Sequence, residues 1–219
     1  AWRAHNGVWA EVVSDHEYEL ARALGHRPEA IVFNGTVKSR EVMLGALADG
    51  ALINIDSRRE IRWVLEHASA HPAGITSVGI RVNWDVESEC PGATASGPAG
   101  LRFGFHIDND LWDAIDTLTR AGVRISGLHL HVTSLGREIA VYRSAARTVR
   151  RILEQRPLIL DYIDIGGGFF GGDDPHFPTP TEYLLAIRQE LAGPGSPIDP
   201  AHTRLIIEPG AALVAVAVE

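Results

Sequence analysis

Lysine is almost absent from this chain: of 20 basic residues only Lys38 is lysine, and the rest are arginine. One side-chain amine is all the chain offers to any chemistry that needs an amine nucleophile. Cysteine is as scarce. Cys90 stands alone, which excludes an internal disulfide and a multi-cysteine zinc site and fits a reducing compartment. A basic excess is lacking too. The formal net charge of −8 argues against a generic nucleic-acid surface and against a polybasic membrane anchor. No stretch approaches the roughly 20 apolar residues of a membrane span, and the longest candidate, Ala211 to Val218, is far too short. No basic segment followed by an apolar core opens the chain, so no signal peptide is visible, and a cytoplasmic location is expected. An initiator methionine is missing as well. The opening Ala-Trp-Arg-Ala-His-Asn-Gly reads as the last turns of a helix ending on an Asn-Gly cap, with residue 1 not the true start.

What is present is ordinary globular material: 219 residues, 45% of them apolar and 22% charged, enough for one large domain or two small ones. Short Val- and Ile-rich runs recur with longer amphipathic stretches between them. Strands are expected at Val8 to Val13, Ile31 to Phe33, Ala51 to Ile55, Ser77 to Val82, Ile125 to Val132, Tyr162 to Ile165 and Leu205 to Ile207. Ser14-Asp15-His16-Glu17 and Ser57-Arg58-Arg59-Glu60 have capping-box spacing, and Thr179-Pro180-Thr181-Glu182 combines a cap, a first-turn proline and an acidic third position. Further helices are expected at Ser39 to Ala48, Asn109 to Ala121, Glu138 to Gln155 and Glu182 to Leu191. Strand and helix alternate throughout, which predicts an α/β fold with a parallel sheet, either open and doubly wound or a (β/α)8 barrel. A barrel needs eight strands and about seven are legible. The helical tail at the start suggests that the missing unit lay before residue 1. The Gly- and Pro-rich segments 91–100, 171–180 and 193–200 read as long connections.

In α/β folds of either kind function gathers at the C-terminal strand ends. Three of those ends are unusual: Gly127-Leu128-His129-Leu130-His131-Val132-Thr133-Ser134, Ile163-Asp164-Ile165-Gly166-Gly167-Gly168-Phe169, and Ile206-Ile207-Glu208-Pro209-Gly210. Gly166, Gly168 and Gly171 match a dinucleotide-binding pattern in spacing. However, Asp173-Asp174-Pro175 follows where that pattern needs a helix. A strand-end glycine loop can instead cup a phosphate with its N–H groups, or simply make a tight turn. His129 and His131 lie two apart on a strand, so they share a face. That spacing suits a metal pair, but no further ligand set converges and no metal is expected. A carboxylate at Glu208 could keep a heteroaromatic nitrogen protonated or pair with an arginine. Arg81 lies inside a strand and needs an acidic partner, for which Glu11 and Glu17 are the candidates. Lys38 reads as an exposed lysine near a helix start, and Cys90 as a residue of a polar loop.

These segments, with Ala10-Glu11-Val12-Val13-Ser14, Ile31-Val32-Phe33-Asn34-Gly35 and Arg102-Phe103-Gly104, occur in the order of the fold-type III pyridoxal-phosphate decarboxylases, which the whole chain resembles. That group includes the diaminopimelate, ornithine and arginine decarboxylases. The resemblance implies a (β/α)8 TIM barrel of the alanine racemase/ornithine decarboxylase type, with residues 1–219 as its cofactor-binding domain. Strands 2 to 8 would be present, and the first strand and the C-terminal β domain would lie outside the chain. It implies pyridoxal 5′-phosphate as cofactor, a small amino acid as substrate and a homodimer. His131 would stack on the pyridine ring. Ser134, Gly168 and Gly210 would hold the phosphate with the glycine turn Gly166-Gly167, and Glu208 would pair with the ring nitrogen. Arg81, Glu17 and Glu11 would belong to the surrounding shell.

Departures accompany the likeness. The family often has Asp at the place of Glu11, Gly at Thr133, Lys at Arg102, and Arg at Ala211. The lysine that the family joins to its cofactor would precede residue 1, and Lys38 stands at a different place in the motif order. On this reading the parent protein decarboxylates an amino acid while the segment by itself does not. The alternatives are an amino-acid racemase or epimerase on the same barrel, a non-catalytic cofactor-binding barrel, and a metal-dependent hydrolase built on His129 and His131.

Overall fold

The structure, a computed structural model, describes residues 8–74, 76–94, 102–132, 134–171 and 174–213. The proposed helical tail at the start of the chain lies outside those residues. In chain order the elements are β1 (Ala10–Val12), α1 (Asp15–Ala23), β2 (Ile31–Phe33), α2 (Arg40–Ala48), β3 (Leu52–Ile55), α3 (Arg58–Ala70), β4 (Ser77–Asn83) and α4 (Val86–Glu89). There follow β5 (Phe105–His106), α5 (Leu111–Arg120), β6 (Arg124–His129), α6 (Ile139–Gln155), β7 (Tyr162–Gly167), α7 (Pro180–Leu191) and β8 (Arg204–Glu208). Within the described residues every expected strand and helix is present. β5 and the single turn α4 are additions too short for any periodicity to reveal. β6 stops at His129, so Leu130 to Val132 leave the strand earlier than expected.

The chain divides into two compact units. The first comprises residues 1–81, 103–105 and 109–127, and the second residues 82–102, 106–108 and 128–219.

In the first unit β1, β2, β3 and β4 are paired in that order, all parallel, in a register that sets Glu11 beside Val32 and Asn54 beside Gly79. Ile31, Val32 and Phe33 are all buried. An unbroken apolar run of this kind marks a strand covered on both faces, each large side chain contributing about 1.5–3 kcal/mol. Met43 of α2, Val64 of α3 and Leu118 of α5 are buried with them, and Tyr18 of α1 stacks on Phe33 at 5.5 Å. In the second unit β7 and β8 pair in parallel, with the register slipping between Asp164 and Gly167 so that Gly167 faces Glu208. Helices α6 and α7 pack together, with Val149, Ile152, Tyr183 and Ile187 buried. Trp84 donates its indole N–H to Ser144 Oγ at 2.9 Å, which satisfies two buried polar groups at once.

The helix starts are chemically specified. Ser14, Ser39, Ser57 and Thr179 each accept an amide N–H three residues on. Only Thr179 and Glu182 form the full reciprocal box. Glu17 and Glu60 reach one residue further back, to the amides of Val13 and Asp56, at 2.7 and 2.6 Å. Those amides close strands β1 and β3, so the glutamates satisfy strand-end donors instead of the cap's own. No helix among the described residues is long and apolar enough to cross a membrane.

Candidate active site

The unusual strand ends of the second unit converge. His129, the last residue of β6, is buried, and its Nε2 lies 3.8 Å from Glu208 Oε1 at the end of β8. His131 Nδ1 lies 4.0 Å from Glu208 Oε2, and the two imidazoles are 6.3 Å apart and inclined by 29°. The shared face predicted from their two-residue spacing is therefore present. Glu208 has these histidines as neighbours. The Gly167 N–H donates to His131 Nδ1 at 3.0 Å. That nitrogen is thus an acceptor, which places the proton of a neutral ring on Nε2.

The glycine turn is cut to fit this arrangement. Gly166 has φ +69°, and a Cβ there would lie 2.5 Å from His131 Nδ1. A Cβ on Gly167 would lie 2.2 Å from the Glu208 carbonyl oxygen. Only bare backbone lets the end of β7 approach both neighbours this closely. Two of the amides expected to cup a phosphate are committed inside the protein: Gly166 N–H to Asp164 Oδ1 at 2.9 Å, and Gly167 N–H to His131. Gly168 and Gly210 follow with φ +84° and +53°. Tyr142 lies against the turn, donating its hydroxyl to Gly167 O at 3.2 Å and stacking on Phe169 at 4.6 Å. Burial pushes its phenol far above the ordinary range.

Asp164 is a residue to which the sequence reading assigned no role. It is fully buried in β7 and braces the turn from below; the signal was an acid between two isoleucines. With His129 and Glu208 it brings one potential ligand atom each within 4.8 Å, although its Oδ1 is engaged by Gly166. Ser134 forms a bridge with Thr94 in the connection after β6. Its hydroxyl is buried without a hydrogen-bond partner among the described residues.

The first unit carries a separate polar band across its strand ends. Asn54 Nδ2 donates to Asn34 Oδ1 at 2.8 Å, and Asn34 Nδ2 donates to Glu11 Oε1 at 3.2 Å. Burial pushes the Glu11 carboxyl up, opposed by the Asn34 N–H. Arg81 is bound neither by Glu11 nor by Glu17. Its partner is Asp56, at 3.1 Å, just beyond β3. Asp56 also accepts the Gly104 amide at 2.8 Å, and the Arg81 guanidinium lies 5.1 Å above the Phe103 ring. Topology decides this pairing: β3 is the direct neighbour of β4, which sets Asp56 beside Arg81.

Lys38 departs furthest from expectation. It is 2% exposed and pairs at 3.2 Å with Glu60, which is fully buried. A lysine near a helix start is usually solvated; this one points inward because Glu60 and two backbone carbonyls meet it there. Cys90 likewise is buried at the end of α4, and burial raises its thiol pKa. Thr133 and the side chain of Ala211, two of the noted departures, lie outside the described residues.

With this geometry in place, comparison with known proteins is decisive. Residues 1–215 match the family model of the pyridoxal-dependent decarboxylases, pyridoxal binding domain. The chain belongs to this family. It is 33% identical over 228 residues to a diaminopimelate decarboxylase of Actinosynnema pretiosum subsp. auranticum, covering 98% of the chain and 49% of that protein. It is 31% identical over 219 residues to one of Zymomonas mobilis, covering 97% and 50%. A solved diaminopimelate decarboxylase from M. jannaschii in co-complex with L-lysine superposes with a TM-score of 0.79 at 23% identity, over 93% of the chain and 48% of that structure. The fold is thus the α/β barrel fold of the family, and the cofactor of this domain is pyridoxal 5′-phosphate. The chain spans about half the length of the curated relatives it matches.

The residues present fit that cofactor. A buried hydroxyl without a partner costs on the order of 1–3 kcal/mol, and a phosphate oxygen is the acceptor that the Ser134 hydroxyl lacks. A carboxylate such as Glu208 would suit a protonated ring nitrogen, and the His131 imidazole beside it could offer a flat face.

Proposed function

We propose that the protein containing this chain is a pyridoxal-phosphate-dependent amino-acid decarboxylase acting on a substrate of the diaminopimelate or ornithine type. The observation that carries the reading is Glu208, mostly buried at the end of β8, 3.8 Å from His129 and 4.0 Å from His131. When bound, pyridoxal phosphate supplies an electron sink for the carbon that loses CO2, and a protonated ring nitrogen deepens that sink. In this reading Glu208 holds the proton on that nitrogen. His131, fixed by the Gly167 N–H, orients the ring so that the bond to be broken aligns with it. Ser134, Gly168 and Gly210 hold the phosphate, while Gly166 and Gly167 contribute shape, their amides being engaged elsewhere. Racemisation is the second reading. Glu208 favours decarboxylation over it, because a racemase gains by leaving the ring nitrogen unprotonated. A homodimer, which rests on the family resemblance, and a cytoplasmic location belong to the same proposal.

The test is CO2 release by the whole protein, loaded with pyridoxal phosphate and offered meso-diaminopimelate, ornithine and arginine in turn. One of these is expected to be consumed with CO2 evolved. Glu208→Gln is expected to lower kcat by about two orders of magnitude, the scale of losing one positioned proton-holding group. Inversion at an α-carbon without CO2 from any of them, read by chiral chromatography, would overturn the proposal.

A further inference from the structure

The chain's only lysine is buried in the first unit, outside the group around Glu208. Its Nζ lies 2.6 Å from the Gly35 carbonyl oxygen, 3.0 Å from that of Asn54, and 3.2 Å from Glu60 Oε1. An ammonium has three N–H donors, and each finds an acceptor here. Glu60 is held in turn by the Asp56 amide through its other oxygen. Burial pulls the Lys38 pKa down and the Glu60 pKa up. The three acceptors around one nitrogen match the three N–H groups of an ammonium one to one.

The carbonyls that Lys38 grips are not arbitrary. Gly35 directly follows Asn34, and the other carbonyl belongs to Asn54. These two asparagines form the chain of hydrogen bonds that ends on Glu11. All its N–H donors point the same way, from Asn54 to Asn34 to the Glu11 carboxylate. Aligned amides polarise one another, so the last donor binds an anion more strongly than an isolated amide does. Reversal of the Asn34 amide would present an oxygen to the carboxylate, and reversal of the Asn54 amide would present one to Asn34 Oδ1.

We propose that Lys38 is a positioning residue for Glu11: by clamping the strand ends that carry Asn34 and Asn54, it keeps their amides aligned and Glu11 aimed and ionised. Glu11 is one of the carboxylates that the decarboxylase reading places near the cofactor, and the inference rests on that reading for Glu11's purpose alone. The groups acting on Glu11 are Asn34 after β2, Glu17 of α1 and Arg81 of β4. Glu17 and Arg81 have their own anchors in the Val13 amide and Asp56, so the Asn34 donor is the one that Lys38 governs.

The test is the 13C titration of the Glu11 carboxyl in the whole protein without added cofactor, comparing wild type, Lys38→Met and Asn34→Ala. In both variants the Glu11 midpoint is expected to rise by about one pH unit, as a buried carboxylate does on losing an aligned donor. Lys38→Met leaves Glu60 as an uncompensated buried charge, so the double variant Lys38→Met with Glu60→Gln serves if the single one does not fold. A lower Tm with an unmoved Glu11 midpoint would reduce Lys38 to a structural ion pair and overturn the proposal. An unmoved midpoint in Asn34→Ala would remove the hydrogen-bond chain altogether. No turnover is read, so failure here leaves the decarboxylase assignment intact, and failure to release CO2 leaves this result intact.

Discussion

Gly166 is the residue on which the second unit's arrangement is most finely balanced. It combines a left-handed backbone, φ +69°, with a closest approach of 2.5 Å between its would-be Cβ and His131 Nδ1. Gly166→Ala therefore meets two costs, and the backbone alone accounts for about 1–3 kcal/mol of lost stability. Urea unfolding is expected to show that loss. Pyridoxal phosphate affinity, measured by fluorescence, should weaken in the same variant because the His131 ring must move. An Ala at Gly210 is the contrasting case: its Cβ would meet nothing within 4 Å, so only the backbone term remains. The glycine run was visible in the sequence as a turn. Which of its amides remain for a ligand was not, because that depends on the direction of the Asp164 side chain and on His131 meeting the turn from beyond β6.

Helix α7 shows what local chemistry does at the scale of one element. Thr179 accepts the Glu182 amide while Glu182 accepts the Thr179 amide at 2.7 Å and its hydroxyl at 2.8 Å. Thr179→Ala is expected to destabilise the protein by about 1 kcal/mol. The Glu182 carboxyl is held below its ordinary value by the Thr179 amide first and the hydroxyl second. A depressed folded-state pKa means that this contribution is complete above the ordinary value of 4.5 and is lost as pH falls through the lower, folded one. Stability measured against pH should accordingly decline less steeply on the acid side in Glu182→Gln than in wild type. All three boxes were legible as spacing. Only the structure shows that Glu17 and Glu60 serve strand ends instead, since the reach of a glutamate depends on how the chain enters its helix.

At the scale of the whole chain, lysine scarcity becomes a chemical statement. The one amine has all its N–H donors committed and sits 2% exposed beside Glu60. Incubating the 219-residue chain with pyridoxal phosphate, then borohydride, is expected to leave Lys38 unmodified by mass spectrometry. No CO2 should be released from amino acids by that chain alone. A pyridoxyl group fixed on Lys38 would contradict the committed-ammonium geometry. The α/β alternation, the parallel strands and the unusual strand ends at His131, Gly166 to Gly168 and Glu208 were all readable at this scale. They are carried by runs and short motifs that need no knowledge of what lies beside them.

The sequence by itself determined the elements, their alternation and the family likeness, because helix caps, buried Val and Ile runs and strand-end motifs are local and covalently ordered. Pairings between distant residues were decided by tertiary structure alone. Arg81 chose Asp56, Lys38 turned inward to Glu60, and Asp164 came to brace the glycine turn. Arg81, half-buried, and Lys38, buried, are charges that must find their counterparts on other elements, and which element lies adjacent is a property of the sheet. Asp164, by contrast, acts on its own strand through a side-chain direction that the sequence does not show. Composition could show that the chain had one lysine; only the parallel register of β1, β2 and β3 made that lysine the clamp on Glu11.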